Sequence, residues 1–427
     1  MATYLPEVDS DLDGLILWTA LQTQHVSRAD LVQRTGLSRA TLDARIIGLQ
    51  NRGLLAETST GPSTGGRRPR LVAFQKDAGF IVGVDLGLAS VDVAVTDLSA
   101  GILLHTAHPV DVREGPNTIL PLVQRLVEQV IAEASVDPQR IKGLGIGIPG
   151  PVETSTGLPI SPPNMPGWHQ FPIREYLQAA FGWRVFIDND VNIMALGERW
   201  AGCGLAVDNF LWVKLGTGIG CGIICRGHIY RGADGCAGDI GHIAVGNEDV
   251  ACMCGNTGCL GRLAGGQGLA CDMEQAARTG ASPYLAEVLA QKGTLTAVDL
   301  GEALLHDDPY PAQLVRRAGS YVGHALAGLV NFYNPSLIVI GGGLANLGDL
   351  LLASIREAIY RRSAPLATRH LAIQRSALGD EAGVVGAAAL VLGEFFKRTP
   401  LADGVRVPVG SREEITPQGL AYTRLKR

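Results

Sequence analysis

The strongest constraint on the fold of this chain is a short segment that carries one histidine and three cysteines. The run that ends at His242 reads G-D-I-G-H, and the run from Cys252 to Cys259 reads C-M-C-G-N-T-G-C. Four soft donors are what a closed tetrahedral zinc site needs, and the glycines at 255 and 258 suit a loop that requires positive φ. The alternative is three buried free cysteines beside a core histidine. We therefore predict one structural Zn²⁺ per chain, bound by His242, Cys252, Cys254 and Cys259.

These two motifs together resemble the signature of the ROK family, G-[ED]-[IL]-G-H followed by C-x-C-G-x-x-G-C-L. The family contains bacterial sugar kinases and sugar-responsive transcriptional repressors. The resemblance implies an α/β chain with a two-lobed actin-like ATPase (ribonuclease H-like) sugar-kinase fold. Its repressor branch carries an N-terminal winged helix-turn-helix ahead of this body, and its kinases generally lack one.

The charge distribution favours a protein with a basic N-terminal module. The chain of 427 residues has a net charge of −5 and is 46% apolar, which suits a globular protein. Residues 24–76 carry nine Arg or Lys against three acidic residues, so this segment is basic and the remainder is acidic. A basic module joined to an acidic body is typical of a DNA-binding domain attached to a sensor domain.

Targeting and membrane signals are lacking in the sequence. There is no apolar run of about 18 residues, and no basic segment precedes an apolar one at the N-terminus. The cysteine spacing is of the metal-binding kind and fits a reducing compartment. We therefore expect a cytoplasmic, nucleoid-associated protein without a membrane partner.

A helix-turn-helix is predicted near the N-terminus. Ser27 with Asp30 has the spacing of a helix cap, Gly36 begins a short turn, and Ser38 caps the next helix. Two helices joined by a short glycine-containing turn are the helix-turn-helix pattern. The inward stripe of the second of these helices is Leu42, Ile46 and Leu49.

The outer side of that helix is the predicted DNA-reading surface. Small residues on it would face base edges in the major groove, whereas Ser38 and the two flanking arginines are better placed for phosphates. The alternative is a packing module with a solvated basic face. The residues predicted to contact DNA here are Ser38, Arg39, Ala40, Thr41, Asp43, Ala44 and Arg45.

Two short strands are predicted to form a wing, over 54–58 and 70–74. The loop between them contains Arg67 and Arg68 followed by a proline. Arginines held extended in this way can enter a narrow A/T-rich minor groove, or they can contact phosphates from a flexible linker. Both readings stay open, and both make Arg67 and Arg68 DNA-binding residues.

The first phosphate-binding hairpin of the family departs from its pattern D-x-G-G-T-K. Asp85 and Gly87 match, but Leu88, Ala89 and Ser90 replace the second glycine, the threonine and the lysine. A phosphate cradle needs close backbone approach and a hydroxyl donor, so we expect neither ATP nor Mg²⁺ as cofactors and no kinase activity. The resemblance implies these remnants of the nucleotide loops: Asp85, Gly87, Gly216, Thr217, Gly218, Gly220 and Gly342.

The sugar-binding motifs of the family are better preserved. The runs 147–152, 163–168 and 187–192 match G-x-P-G-P, P-N-x-P-G-W and D-N-D-x-N. In family kinases the second Asp of D-N-D is the general base; here that residue is Asp190, and we expect it to be vestigial. Gly261 stands where the family has a glutamate, which leaves room for a larger or substituted ligand. The resemblance implies a sugar site formed by Asn164, Asn189, Asp190, Asp239 and His242.

The predicted function is a sequence-specific repressor of carbohydrate metabolism genes, controlled by a sugar or sugar phosphate bound between the lobes. It would bind palindromic, A/T-rich double-stranded operator DNA as a homodimer or homotetramer. The alternatives are an active ATP-dependent sugar kinase with an attached DNA module, and a family regulator that no longer binds sugar. The expected domains are 1–76 (winged helix-turn-helix and linker), 77–187 (first lobe, completed by about 378–396), 188–377 (second lobe with zinc loop and dimerisation) and 397–427 (tail).

Overall fold

The fold consists of two units. The computed structural model of the protein describes residues 11–60, 70–246 and 249–396. Of these described residues, 11–60, 70–74 and Phe396 form one unit, and those from Gln75 to Phe395 form the other. Arg67, Arg68 and the predicted tail 397–427 lie outside the described residues. Among the described helices, none is both long enough and apolar enough to span a membrane.

The N-terminal unit is a winged helix-turn-helix, as predicted. Its three-stranded antiparallel sheet has the order β1-β3-β2. The strand β1 was not predicted, because two residues are too short to show the alternating pattern of a strand. The elements are α1 (Asp11–Thr23), β1 (Val26–Ser27), α2 (Arg28–Thr35), α3 (Arg39–Asn51), β2 (Leu55–Thr60) and β3 (Arg70–Phe74).

Local capping fixes the turn between α2 and α3. The Ser27 hydroxyl accepts a hydrogen bond from the backbone N–H of Asp30 at 3.1 Å, and that of Ser38 accepts one from Thr41 at 3.2 Å. Gly36 ends α2 at a φ of 70°, in the left-handed region that favours glycine. The predicted inward stripe of α3 is buried, which confirms the helix-turn-helix.

An aromatic cluster completes the core of this unit. Phe396 is 1% exposed, and its ring centroid lies 5.8 Å from that of Trp18 and 5.7 Å from that of Phe74. A side chain at Gly14 would collide with the backbone of Phe396, so α1 packs closely against this residue. Residues 11–74 therefore share their core with a residue from the far end of the chain.

The second unit begins with a five-stranded sheet, the first sheet, in the order β6-β5-β4-β7-β8. The strands β4, β7 and β8 are parallel, and β5 and β6 are antiparallel to their neighbours. These strands are rich in Val and Ile, which suits a sheet covered on both faces. The elements are β4 (Phe80–Leu86), β5 (Ser90–Asp97), β6 (Ile102–Pro109), α4 (Pro116–Glu133), β7 (Ile141–Ile148), α5 (Ile173–Phe181) and β8 (Val185–Asn189).

A second sheet repeats this arrangement, in the order β11-β10-β9-β12-β13. The last helix packs on β4 and β7 of the first sheet. The elements are α6 (Asp190–Ala201), β9 (Phe210–Leu215), β10 (Ile219–Cys225), β11 (His228–Ile229), α7 (Leu260–Ala264), α8 (Gly266–Thr279), α9 (Pro283–Lys292), α10 (Ala297–Ala303), α11 (Pro309–Tyr333), β12 (Leu337–Gly341), α12 (Asp349–Arg362), α13 (Pro365–Thr368), β13 (Ala372–Arg375) and α14 (Ala382–Phe395).

The repetition of one strand order in two sheets defines the lobes. Numbered within its own sheet, each lobe has the order 3-2-1-4-5, with an antiparallel meander followed by two parallel strands. This is the predicted two-lobed, actin-like sugar-kinase fold. The finer lobe boundaries at 187/188 and 377/378 stay predictions.

Candidate functional site

A cavity of about 380 Å³ lies between the two sheets. This volume is within the range of small-molecule sites. The predicted sugar-binding residues come from separate loops, and the structure brings all of them to the wall of this one cavity. They are Asn164, Asn189, Asp190, Asp239 and His242.

Asn189 is largely occupied in shaping the loop before α6. Its Oδ1 accepts from the N–H of Val191 at 3.0 Å, and its Nδ2 donates to the carbonyl of Gly150 at 2.8 Å. The preceding carboxylate, Asp188, is buried and accepts from both Nε and a terminal nitrogen of Arg231, at 2.9 and 2.6 Å. Arg231 has no motif in the sequence that marks it. This framework holds Asn189 and the next residue rigidly at the cavity.

Asp190 forms an ion pair that the sequence did not predict. It is 6% exposed; its Oδ1 accepts from the N–H of Val191 at 2.8 Å, and its Oδ2 accepts from Nζ of Lys214 at 2.7 Å. Lys214 belongs to β9 of the second sheet, whereas Asp190 follows β8 of the first. The pair therefore connects β9 of the second sheet to the start of α6, directly after β8 of the first sheet, at the cavity wall.

The ammonium of Lys214 is flanked by two carboxylates. Burial acts to lower its pKa, but Asp190 and Asp85 oppose this and raise the pKa above its ordinary value. Burial raises the pKa of Asp85 to about 7, with Lys214 acting against the increase. Asp85 Oδ1 has no hydrogen-bond partner among the described residues. Lys214 thus supplies a built-in positive charge beside the predicted phosphate loop.

The nucleotide-loop remnants divide into two sets. Thr217, Gly218 and Gly220 line the cavity, as does Leu88, which replaces a family glycine. Gly342 has a φ of 85°, and a Cβ there would lie 2.6 Å from the carbonyl oxygen of Leu215, so a packing requirement explains this glycine. The remnants that do not line the cavity are Asp85, Gly87, Gly216 and Gly342.

Gly238 places the acidic residue Asp239 at the cavity. Its φ is 97°, and a side chain at this position would collide with the carbonyl oxygen of Cys221. Its own carbonyl accepts from the N–H of Cys221 at 2.9 Å. Asp239 is exposed in the cavity mouth and precedes the short 3-10 turn Ile240–His242.

The four predicted zinc ligands form one cluster. One ligand atom from each of them lies within 4.8 Å of all the others, so the cluster could hold a metal ion. The Sγ atoms of Cys254 and Cys259 are 3.7 Å apart, and Cys252 Sγ is 3.8 Å from Nδ1 of His242. Tetrahedral zinc with bonds of about 2.3 Å to sulfur requires about 3.8 Å between sulfurs, so the spacing fits.

The cluster of His242 and the three cysteines shares two residues with the wall of the cavity. His242 and Cys252 belong to both, and Met253 between the loop cysteines also lines the cavity. The predicted positive φ angles of the loop are present, at 91° for Gly255 and 67° for Gly258. A metal bound here would therefore fix part of the cavity lining.

Two of the residues on α3 that are predicted to contact DNA form ion pairs with other residues of the N-terminal unit. Asp43 pairs with Arg28 at 2.7 Å, and Arg45 pairs with Asp13 at 3.2 Å. Sequence reasoning missed these pairs because the partners are 15 and 32 residues away along the chain. The residues of the predicted set that are exposed are Ser38, Arg39, Ala40, Thr41 and Ala44.

The ion pair of Asp43 is part of a longer network. Arg28 also contacts Glu57 of β2 at 3.0 Å, and Glu57 contacts Arg70 of β3 at 2.9 Å. The network connects the start of α2, the middle of α3 and the wing. It fixes the wing strands relative to α3 through side chains that are partly solvent-exposed.

The two sheets of equal topology, the cavity between them and the winged helix-turn-helix define a two-lobed protein of sugar-kinase fold with a DNA-binding module. The chain belongs to the ROK family: the family profile matches residues 81–394.

Three relatives indicate the branches of the family that the chain resembles. A xylose repressor of Caldicellulosiruptor bescii is 31% identical over 90% of this chain and 95% of its own. A glucokinase of Halalkalibacterium halodurans is 34% identical, over 73% of this chain and 94% of its own. The crystal structure of a ROK family transcriptional regulator, a homolog of the E. coli Mlc protein, matches with a TM-score of 0.77 at 25% identity, covering 90% and 96% of the two chains.

Proposed function

We propose that this protein is a sugar-responsive transcriptional repressor. The observation that carries the proposal is the extent of the matches: the repressor relative aligns with 90% of the chain, whereas the glucokinase aligns with 73%. The difference corresponds to the presence of the winged helix-turn-helix. In this proposal the protein acts in the cytoplasm as a homodimer or homotetramer on palindromic operator DNA, since helix-turn-helix dimers read paired half-sites.

The effector in this proposal is a sugar or sugar derivative bound in the cavity. Asp190, Asp239 and Asn164 accept or donate hydrogen bonds to its hydroxyls, and Asn189 holds the loop that carries Asp190. Because the cavity wall comes from both lobes, a ligand that prefers one lobe arrangement shifts the population toward it. That shift changes the affinity for operator DNA.

We further propose that the metal of the His/Cys cluster is Zn²⁺ with a structural role. Its ligands are the residues that the spacing and the 3.7 Å sulfur separation support. Zinc supplies loop rigidity when bound. His242 and Cys252 transmit that rigidity to the cavity wall, so metal removal is expected to weaken sugar binding.

An active sugar kinase is the competing function. The glucokinase relatives and the cavity-lining Asp190 and Thr217 favour it. Against it, the ammonium of Lys214 lies 2.7 Å from one oxygen of Asp190 and competes for that oxygen with the proton that a general base would accept. Leu88 also fills the side of the cavity on which a phosphate would need glycine backbone.

The deciding experiment selects DNA from a random double-stranded library with the full-length, zinc-loaded protein. Fluorescence polarisation on the selected site, with and without a panel of pentoses and hexoses, then measures the response. We expect a palindromic consensus and a change in DNA affinity of at least about tenfold with one sugar. The control is Thr41→Arg on the exposed face of α3, which should abolish selection without changing the melting temperature.

A parallel ATP-turnover assay with the same sugars separates the two functions. Turnover on a hexose at a rate of about 1 s⁻¹ or more, without sequence-selective DNA binding, would establish the kinase and overturn the repressor proposal.

A further inference from the structure

The cavity wall contributed by the second lobe carries a cation with spare hydrogen-bonding capacity. Arg262 lies on α7 and lines the cavity, with 27% of its side chain exposed. Its contacts are long: Nη1 is 3.6 Å from Asp272 Oδ1 and 3.5 Å from the carbonyl oxygen of Gly268. A guanidinium has five N–H donors, so most of those of Arg262 remain for a ligand.

The ion-pair cluster that contains Arg262 has two guanidinium groups and one carboxylate. Asp272 is shared by two guanidinium groups, because Arg317 contacts its other carboxylate oxygen more closely than Arg262 contacts Oδ1. One carboxylate therefore neutralises only one of the two arginines. An acidic group in the cavity would complete the pairing of Arg262.

Gly261, the residue before Arg262, leaves room for such an acidic group. Position 261 is glycine, and a Cβ there would lie 3.2 Å from the carbonyl oxygen of Gly241, at the closely packed inner wall. A carboxylate side chain at 261 would pair with Arg262 or repel an acidic ligand. Its absence leaves both the space and the guanidinium accessible.

The other cation that lines the cavity is already paired. Among the described lining residues, Lys214 and Arg262 are the lysine and arginine side chains. Lys214 is bonded to Asp190 at 2.7 Å and is close to Asp85. The two cavity acids, Asp190 and Asp239, suit hydroxyl donors, which leaves Arg262 as the lining cation available to an acidic group.

We propose that the effector is a sugar bearing an acidic group, carboxylate or phosphate, and that Arg262 binds this group. The inference rests on the proposed function and names the ligand class of the same cavity. A carboxylate or phosphate accepts two N–H bonds from a guanidinium in fork geometry, which a neutral sugar cannot do. Arg262 is then a specificity-determining residue that distinguishes acidic sugars from their neutral parents.

The test is isothermal titration of the full-length, zinc-loaded protein with matched ligands. The probes are D-glucose, D-gluconate, D-glucuronate and D-glucose 6-phosphate, with D-xylose, D-xylonate and D-xylose 5-phosphate as the pentose series. We expect at least one acidic member to bind about tenfold or more tightly than its neutral parent. The carboxylate and phosphate arms identify which of the two groups is recognised.

Two variants assign the preference to this wall. Arg262→Gln keeps a polar side chain but removes the positive charge and the guanidinium fork, and it should reduce the acidic-to-neutral ratio to about one. Gly261→Glu introduces a carboxylate beside Arg262 and should reverse the preference, which gives a second readout if either variant folds poorly. Arg278→Gln, on the exposed face of α8, should leave the ratio unchanged.

The outcomes separate this inference from the function on which it rests. Tighter binding of the neutral sugars, or an acidic preference that survives Arg262→Gln, overturns the inference and leaves a sugar-responsive protein. Failure of every sugar to bind, acidic or neutral, contradicts the proposed effector site itself.

Discussion

The two ends of the cleft have diverged to different extents. On the sugar side, five predicted residues from three segments converge on one cavity. On the nucleotide side, three of the seven predicted remnants line the cavity, Leu88 replaces a glycine, and the ammonium of Lys214 bonds to the carboxylate of Asp190. The same fold thus retains a place for a small polar ligand where the parts for phosphoryl transfer are altered.

The comparison shows that the departures from the family pattern are concentrated where a charged ligand would bind. A divalent cation with a nucleotide would have to displace the charge of Lys214, whereas a sugar hydroxyl can still reach the remaining lone pairs of Asp190. The residues that depart from the family pattern therefore disfavour the nucleotide and its metal ion more than they disfavour the sugar. Four experiments follow, in order of expected effect.

The largest effect is expected from the metal loop on the sugar side. Cys259→Ser removes a fully buried predicted ligand, and we expect loss of zinc and a decrease in the free energy of unfolding of more than about 4 kcal/mol. Metal content and urea unfolding measure this. Cys271→Ser, an exposed cavity cysteine outside the cluster, is the control. If the Cys259→Ser protein kept its full zinc content, Cys259 would not be a zinc ligand, and the proposed metal site would be wrong.

The next effect concerns the ion pair across the cleft. Lys214→Met leaves the buried carboxylate of Asp190 without its partner, so we expect a loss of about 3 kcal/mol. Adding Asp190→Asn should restore much of it, as denaturant unfolding of the single and double variants would reveal. Arg361→Gln breaks an exposed pair and should cost less than about 1 kcal/mol. If Lys214→Met and Arg361→Gln reduced the free energy of unfolding by equally small amounts, the Lys214–Asp190 pair would stabilise the protein no more than an exposed ion pair does.

The third effect is a pH dependence that originates on the nucleotide side. In the folded protein the pKa of Asp85 is raised to about 7 from an ordinary value of 3.8. Between these values only the unfolded chain ionises, so Asp85 makes stability decrease as pH increases, by about 1.4 kcal/mol for each pH unit. Asp85→Asn should remove this slope and stabilise the protein at pH 8.

Thermal and urea unfolding from pH 4 to pH 8 measure that slope. The control is Asp307→Asn, at an exposed position. Parallel pH profiles for the parent protein and Asp85→Asn would show that Asp85 ionises normally, and the nucleotide side would then resemble that of a working kinase more closely than we infer.

The smallest expected effect is the difference between two ligands in how far each raises the melting temperature. At saturation the effector sugar should raise the melting temperature by about 5 °C, whereas a non-hydrolysable ATP analogue with Mg²⁺ should change it by less than about 1 °C. Asp190→Asn should reduce the sugar shift, because it removes the carboxylate acceptor. A nucleotide shift equal to the sugar shift would erase the difference between the two ends of the cleft.

The features that the sequence predicted well are those set by nearby residues. The caps at Ser27 and Ser38 act over three residues, and the stripe of α3 repeats within one helix. The zinc loop is similarly local, since three of its four ligands lie within eight residues. The family motifs extended the prediction to the cavity, because each motif is a short run of residues that can be identified without knowledge of the fold.

The features that escaped prediction depend on tertiary pairing. Lys214 is one cation in an apolar strand, and its partner Asp190 is 24 residues earlier, at the start of α6. The ion pair of Arg45 with Asp13 is likewise invisible to helix geometry, because the two residues are 32 positions apart; its predicted phosphate contact stays a prediction. Arg262 has no motif, and its significance depends on Asp272 being shared with another arginine.

The position of Phe396 has a consequence for synthesis of the chain. The helices and wing of the DNA-binding unit leave the ribosome first, but the aromatic cluster with Trp18 and Phe74 lacks its third member until residue 396 has been translated. An unfinished chain therefore carries an incomplete DNA-binding core throughout translation of the body. A chain that stops before residue 396 therefore lacks one aromatic ring of the core of its N-terminal unit.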